Sequence, residues 1–183
     1  MKRYVAILMA LCCLVGLAAC GAGNGASGGN GAGTASYAIS ANDLVQTMRD
    51  AGYGVQPDGY ETAGDLGITN AREFDALNFY KDENGVEKHT SVFFVVFADA
   101  GDAQSAYEQI VSAGAADGVY LRAYNHGNGK KATYTDDSDP YFGYMTIVSQ
   151  VENTLVIAVE SWDIDSFGTY DYELSSILAK LNY

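Results

Sequence analysis

Ser91–Phe97, "SVFFVVF", decides the fold. From Val92 onward both alternating sets of residues are apolar, so each face of this strand carries hydrophobic side chains. A half-wet strand would alternate apolar with polar residues, so this one belongs in the middle of a sheet. Upstream, Glu73–Tyr80 is a second strand-like run, and Asp82-Glu83-Asn84-Gly85 lies between the two. Asn-Gly between such runs is the strongest short hairpin signal, which pairs Glu73–Tyr80 with Lys88–Ala98.

The pattern repeats on either side. Ser40 and Asp43 have the spacing of a capping box, with Asp in place of the usual Glu or Gln, and Ile39 and Leu44 stand where a hydrophobic staple places them. Leu44, Val45 and Met48 then form the buried stripe of a first helix that Gly52 ends. A short strand over Tyr53–Gln56 and a loosely patterned loop to Asn70 follow. Asp99 caps a second helix with Ala103, Ala106, Tyr107, Ile110 and Val111 on one face. Gly118–Pro140 reads as irregular, with a strand near Val119–Tyr124. Tyr141–Gln150 and Leu155–Trp162 make a second hairpin about Glu152-Asn153, and Tyr170–Leu181 is a closing helix burying Leu174, Ile177, Leu178 and Leu181. The expectation is an α+β fold: an antiparallel sheet of two main hairpins, with three helices packed on one face.

The N-terminus is set apart from this domain. Lys2 and Arg3 precede an apolar stretch of 16 residues, Tyr4–Ala19, short of the ~20 a spanning helix needs. It closes on Leu17-Ala18-Ala19-Cys20. These four residues resemble the lipobox of bacterial lipoproteins, and the chain as a whole resembles small lipoproteins of Gram-positive bacteria. The resemblance implies a signal peptide over 1–19 and a Cys20 that takes a diacylglyceryl group on its sulfur and becomes the mature N-terminus. It further implies a protein lipid-anchored to the outer face of the cell membrane. A second acyl chain, such as palmitate, turns marginal membrane binding into stable anchoring. Residues 21–36 hold seven glycines and no charge, a composition that cannot bury enough apolar surface to offset ordering, so 20–36 is expected to be a lipidated tether. Residues 37–183 are left as one domain.

Composition narrows the function classes. The chain has 23 acidic and 10 basic residues, a net charge of −13; such a surface repels phosphate backbones, so nucleic acid is not an expected partner. "FFVVFADAGDAQSAY", Phe93–Tyr107, resembles the strand–loop–helix corner of ferredoxin-like domains, which include RNA-recognition modules. The RNA-binding signature, however, wants a basic residue and a glycine where this chain has His89, Thr90 and Ser91. Cys12 and Cys13 lie in the signal segment and Cys20 is the lipidation residue, so the domain has no cysteine for a disulfide, a zinc site or a thiol nucleophile.

Catalytic motifs are wanting. The two histidines, His89 and His126, belong to no HExxH, and no G-x-S-x-G elbow occurs. His89 is expected exposed at a strand start and His126 in a turn. The reading is therefore a non-catalytic domain without a cofactor that binds an envelope peptide, glycan or protein. The alternatives are a structural accessory lipoprotein and an unrecognised hydrolase, for which His126 would have to meet a serine and an aspartate in space. Candidate ligand-binding residues are Tyr120, Tyr124, His126, Tyr134, Tyr141 and Tyr144, because rings beside amide groups suit sugar or peptide recognition. "DIDSFGTYDYE" begins like a calcium loop, making Asp163, Asp165 and Asp171 candidate metal ligands, although Phe167 and Leu174 replace oxygen ligands at the fifth and twelfth positions. Asp136, Asp137 and Asp139 form a second acidic loop.

Overall fold

The computed structural model describes residues 39–56, 61–83, 86–116, 120–126, 129–136, 141–163 and 173–183. In chain order these form α1 (Ala41–Asp50), β1 (Gly54–Gln56), a 3-10 turn (Ala63–Leu66), β2 (Ala71–Glu83), β3 (Val86–Phe97) and α2 (Ala100–Ala116). Then come β4 (Tyr120–His126), β5 (Gly129–Asp136), β6 (Phe142–Val151), β7 (Thr154–Asp163) and α3 (Glu173–Lys180). The described strands make one antiparallel sheet in the order β1-β2-β3-β7-β6-β5-β4. The α+β class and both expected hairpins are present.

Local chemistry starts each element as the sequence implies. The Ser40 main-chain N–H donates to Asp43 Oδ2 at 2.8 Å and the Asp43 N–H to Ser40 Oγ at 3.3 Å, a reciprocal cap on α1. The Ser40 hydroxyl, which donates to Asp43 Oδ2 at 2.7 Å, and next the Ser40 N–H favour the Asp43 carboxylate, holding its pKa below the ordinary value. Gly52 takes φ +90° just after α1, a conformation that favours glycine. Asp99 Oδ1 accepts from the N–H groups of Gly101 and Asp102 and so caps α2.

The core has two halves, one on each side of the sheet. Val92, Phe94 and Val96 of β3 face one way and join Phe79, Met145, Ile147, Val156 and Ala158 beneath Leu44 and Met48 of α1 and Leu174, Ile177 and Leu178 of α3. Phe93, Val95 and Phe97 face the other way, with Ala132, Val148, Leu155 and Ile157, beneath Ala103, Tyr107 and Ile110 of α2. Phe74 stacks on Phe93 on this second side, ring centroids 6.0 Å apart.

Three sequence expectations need correction. The helices do not share one face: α1 and α3 cover one side and α2 the other, because the double-sided apolar run of β3 needs a layer on each side. Within Gly118–Pro140 the expected strand near Val119–Tyr124 is β4, but the described residues after it are not irregular: they add β5 and make a full hairpin, registered from Tyr120 opposite Thr135 to His126 opposite Gly129. The loop before Asn70 contains a 3-10 turn whose start is tied by Asp65 Oδ2, which accepts from the Thr62 N–H and hydroxyl at 2.8 Å each; its Leu66 and the following Ile68 are buried in the second half-core.

Phe93 and Phe94 are adjacent, both buried, and in separate half-cores. Each changed to Ala is expected to lower the free energy of unfolding by about 3–5 kcal/mol, read from urea melts. A sheet covered on one side only would lose far less at one of the two.

Candidate functional site

The tyrosines that lie close in sequence are divided by the strands they occupy. Tyr134 on β5 faces α2: it is 6% exposed and lies in the half-core with Tyr107 and Ile110. A Cβ added to Gly114 would come within 2.5 Å of its ring, so glycine on α2 is what lets the helix settle onto that ring. Tyr134 is thus a packing residue, at odds with its place among the candidate ligand contacts. Register puts Tyr120 opposite Thr135 and Tyr124 opposite Lys131, the parity of the α1/α3 side. Tyr144 stands opposite Asp136 and Ser161, on the parity of Val148 and the α2 side. Tyr141 precedes β6 and is 68% exposed. His126 closes β4, and His89 is exposed on β3, as expected for a strand histidine at the surface. The aromatic cluster is therefore not one surface.

Of the candidate metal ligands, Asp163 ends β7 and Asp136 ends β5, while Asp137, Asp139, Asp165 and Asp171 lie outside the described residues. Among the described residues no three His, Cys, Asp or Glu gather as a metal site would require.

Sequence reasoning missed a buried polar layer on the α1/α3 side. Lys88, Thr90, Lys131, Ser149, Thr154 and Glu160 are all buried. Glu160 Oε1 accepts from the Tyr53 hydroxyl at 2.9 Å and the Thr90 hydroxyl at 3.2 Å. Lys81 and Lys88 stand directly opposite each other on β2 and β3, a like-charge pairing that would be destabilising alone. Glu173, in the first turn of α3, resolves it: Lys81 Nζ reaches Oε1 at 2.5 Å and Lys88 Nζ lies 3.7 Å from Oε2. The Lys81 ammonium also lies 5.3 Å from the centre of the Tyr53 ring, within cation–π range. Further along, the Lys131 ammonium donates to the Ser175 hydroxyl and to the Tyr183 main-chain oxygen, each at 3.2 Å, and burial lowers its pKa. The signal was there in the parity: Lys88 and Thr90 share the alternation of Val92, Phe94 and Val96. Chemically, these groups clamp α3 to the sheet.

An open cleft of about 460 Å³ lies on the other side, lined by Ala100, Gly101, Gln104, Gly129, Lys130, Gln150 and Glu152. Its groups are already engaged. Asp99 occupies amides at the start of α2, Lys130 pairs with Glu108 at 2.8 Å, and the Gln150 amide donates to the Glu152 main-chain oxygen at 2.6 Å.

With this geometry in hand, the fold can be placed. It is similar to that of an extracellular domain. The solved structure is the extracellular domain of PknH from Mycobacterium tuberculosis, with a TM-score of 0.53, 8% sequence identity, and coverage of 79% of this chain and 90% of that one. Identity that low shows a shared fold and nothing of shared chemistry. No protein-family model matches the chain, and no curated relative matches it in sequence. Among the described residues no helix is long and apolar enough to cross a membrane.

Two buried phenols give the domain an alkaline limit. Burial, with a smaller contribution from Tyr107, raises the Tyr134 pKa far above the usual 10; burial pushes Tyr183 up to about 12, against the opposing effect of its hydrogen bond with Thr154. A folded-state pKa above the unfolded one means that stability is intact below about pH 10 and falls as the unfolded phenols ionise above it. Tyr134→Phe should flatten that fall at no cost at pH 7, since its hydroxyl has no hydrogen-bond partner among the described residues. Tyr134→Ala should cost about 3–5 kcal/mol, by analogy with other large aromatic truncations; urea melts between pH 7 and 11 check both. The clamp is tested separately. Glu173→Gln removes the carboxylate that the two facing lysines share and should destabilise well beyond the about 0–1 kcal/mol expected for Glu108→Gln at its exposed pair.

Proposed function

We propose that this chain is a lipid-anchored, extracytoplasmic, non-catalytic binding domain on the outer face of a bacterial cell membrane. The observation that carries the reading is Leu17-Ala18-Ala19-Cys20, standing after a charged start and a short apolar core. The likeness in fold to an extracellular domain supports it, as does a domain built with no cysteine after residue 20. Lipid on Cys20 holds the chain to the membrane, and the domain beyond it meets an envelope peptide, glycan or protein through its surface. The accessible candidate for that contact is Tyr141, beside the β4–β6 end of the sheet. The strong acidity of the chain keeps nucleic acid from being that partner.

Cys20→Ala tests the anchor. In bacteria fed labelled fatty acid, the wild-type chain takes up label and fractionates with membrane, whereas the variant takes up none and is either released or left as an unprocessed precursor. A variant that still incorporates label and is cleaved ahead of residue 20 refutes the reading.

A further inference from the structure

The two margins of the sheet are unlike. β1 ends one side with three residues, too short to serve as a template. β4 ends the other with seven, Tyr120–His126, paired to β5 along its whole length. Among the described residues no strand pairs with its outer side. Such a margin presents main-chain N–H and C=O groups at alternate residues, to which another extended chain can add. Natural sheets usually blunt a long margin with proline, a bulge or charged side chains. β4 has no proline, its register with β5 is unbroken, and Arg122 is its one Lys or Arg.

Charge indicates what fits there. The chain carries 23 acidic residues, yet none occurs from Tyr120 to Thr135. β4 itself brings Arg122 and ends on His126, and β5 adds Lys130 and Lys131. Lys130 pairs with Glu108 and Lys131 is buried, and Arg122, at the third position of β4, is the basic residue that this strand itself carries besides His126. At physiological salt, charges act over about 8 Å, so a short peptide at this margin feels the local cations more than the distant acidic surface. A second copy would bring its own Arg122 to the same strand and a bulk of like net charge, which disfavours edge-to-edge pairing.

We propose that β4 is a docking edge, taking an extended peptide segment that bears carboxylates and adds to the sheet as a further strand. This rests on the reading of the domain as a binding module and names its partner chemistry. The test uses the full chain in detergent and a fluorescein-labelled, end-capped heptapeptide, Thr-Glu-Val-Glu-Tyr-Glu-Thr. Its controls are the same peptide with Lys for every Glu, and two forms N-methylated on one or the other alternate set of amides. Strand addition is expected to favour the acidic over the lysine peptide by at least about tenfold, to weaken with added salt, and to be abolished by one N-methyl set but not the other. Amide exchange over residues 120–126 should slow when the acidic peptide binds, and Arg122→Glu should weaken it by about fivefold or more with far-UV circular dichroism unchanged. If Arg122→Glu does not fold, Arg122→Gln and the peptide series decide. No binding at millimolar peptide, equal binding of the lysine peptide, or equal loss with both N-methyl sets overturns the proposal. So does self-association of the chain that Arg122→Glu removes, which would give the edge to a second copy. Lipid labelling at Cys20 is read independently, so failure here leaves the anchoring reading standing.

Discussion

The burial of six consecutive strand residues, Val92–Phe97, between 0 and 4% exposed, is the constraint on which the remaining structure depends. A strand apolar on both faces needs cover above and below, so helices must be found for each side, and the strand must have a neighbour at each edge. β2 is one neighbour by hairpin. β7 is the other, and it comes from the far end of the chain: Leu155–Ala158 lie opposite Val92–Val95 and are equally buried. Pairing β3 with β7 therefore joins an N-terminal meander, β1–β3, to a C-terminal one, β4–β7. The join is fastened at the β6–β7 turn, where the Phe97 N–H donates to the Asn153 main-chain oxygen at 2.8 Å and the Asn153 side-chain amide donates to the Phe97 oxygen at 3.0 Å.

The buried charges make sense as a consequence of this centre. Apolar contact alone fixes β3 poorly, because a one-residue slip exchanges one hydrophobic set for another. Lys88 and Thr90 remove that ambiguity. Slipped by one, Lys88 would leave Glu173, Thr90 would leave Glu160, and both would be carried to the α2 side. Buried ion pairs add little net stability against apolar replacements, but they penalise wrong pairings heavily. Here the polar layer selects a register that the hydrophobic run leaves open, and through Glu173 it ties α3 to the same choice.

The sequence was legible where local chemistry decides. The Ser40–Asp43 box, the Asp99 cap, the Asn-Gly hairpin and the double-sided run of β3 each act within a few residues, and each is found in the fold. Illegible parts depend on distant partners. β5 reads as polar because of Lys130 and Lys131, and only α3 and Tyr183, remote in sequence, make Lys131 a buried residue. The side a helix takes is likewise not written in its own stripe: α2 and α3 each bury an apolar face, and they sit on opposite sides. The candidate site fared least well, since neighbouring tyrosines in sequence fall on opposite faces once the strands are in register. Tyr134 then became core, because Gly114 on α2 leaves room for its ring.

Topology also separates the start of the domain from the β4 margin. Ile39, the first described residue, packs against the half-core beneath α1, and α1 lies beside β1 and β2. Everything ahead of it, Cys20 included, joins the domain near that margin. β4 forms the opposite margin, six strand spacings away, which at about 4.8 Å each is roughly 29 Å. The long margin is thus the one furthest across the sheet from where the N-terminal segment meets the fold, while the margin beside that segment is only three residues long. The β3–β7 junction fixes this separation, since it sets the order of the two meanders. One strand buried on both faces therefore governs the core, the register and the distance between the start of α1 and the β4 margin.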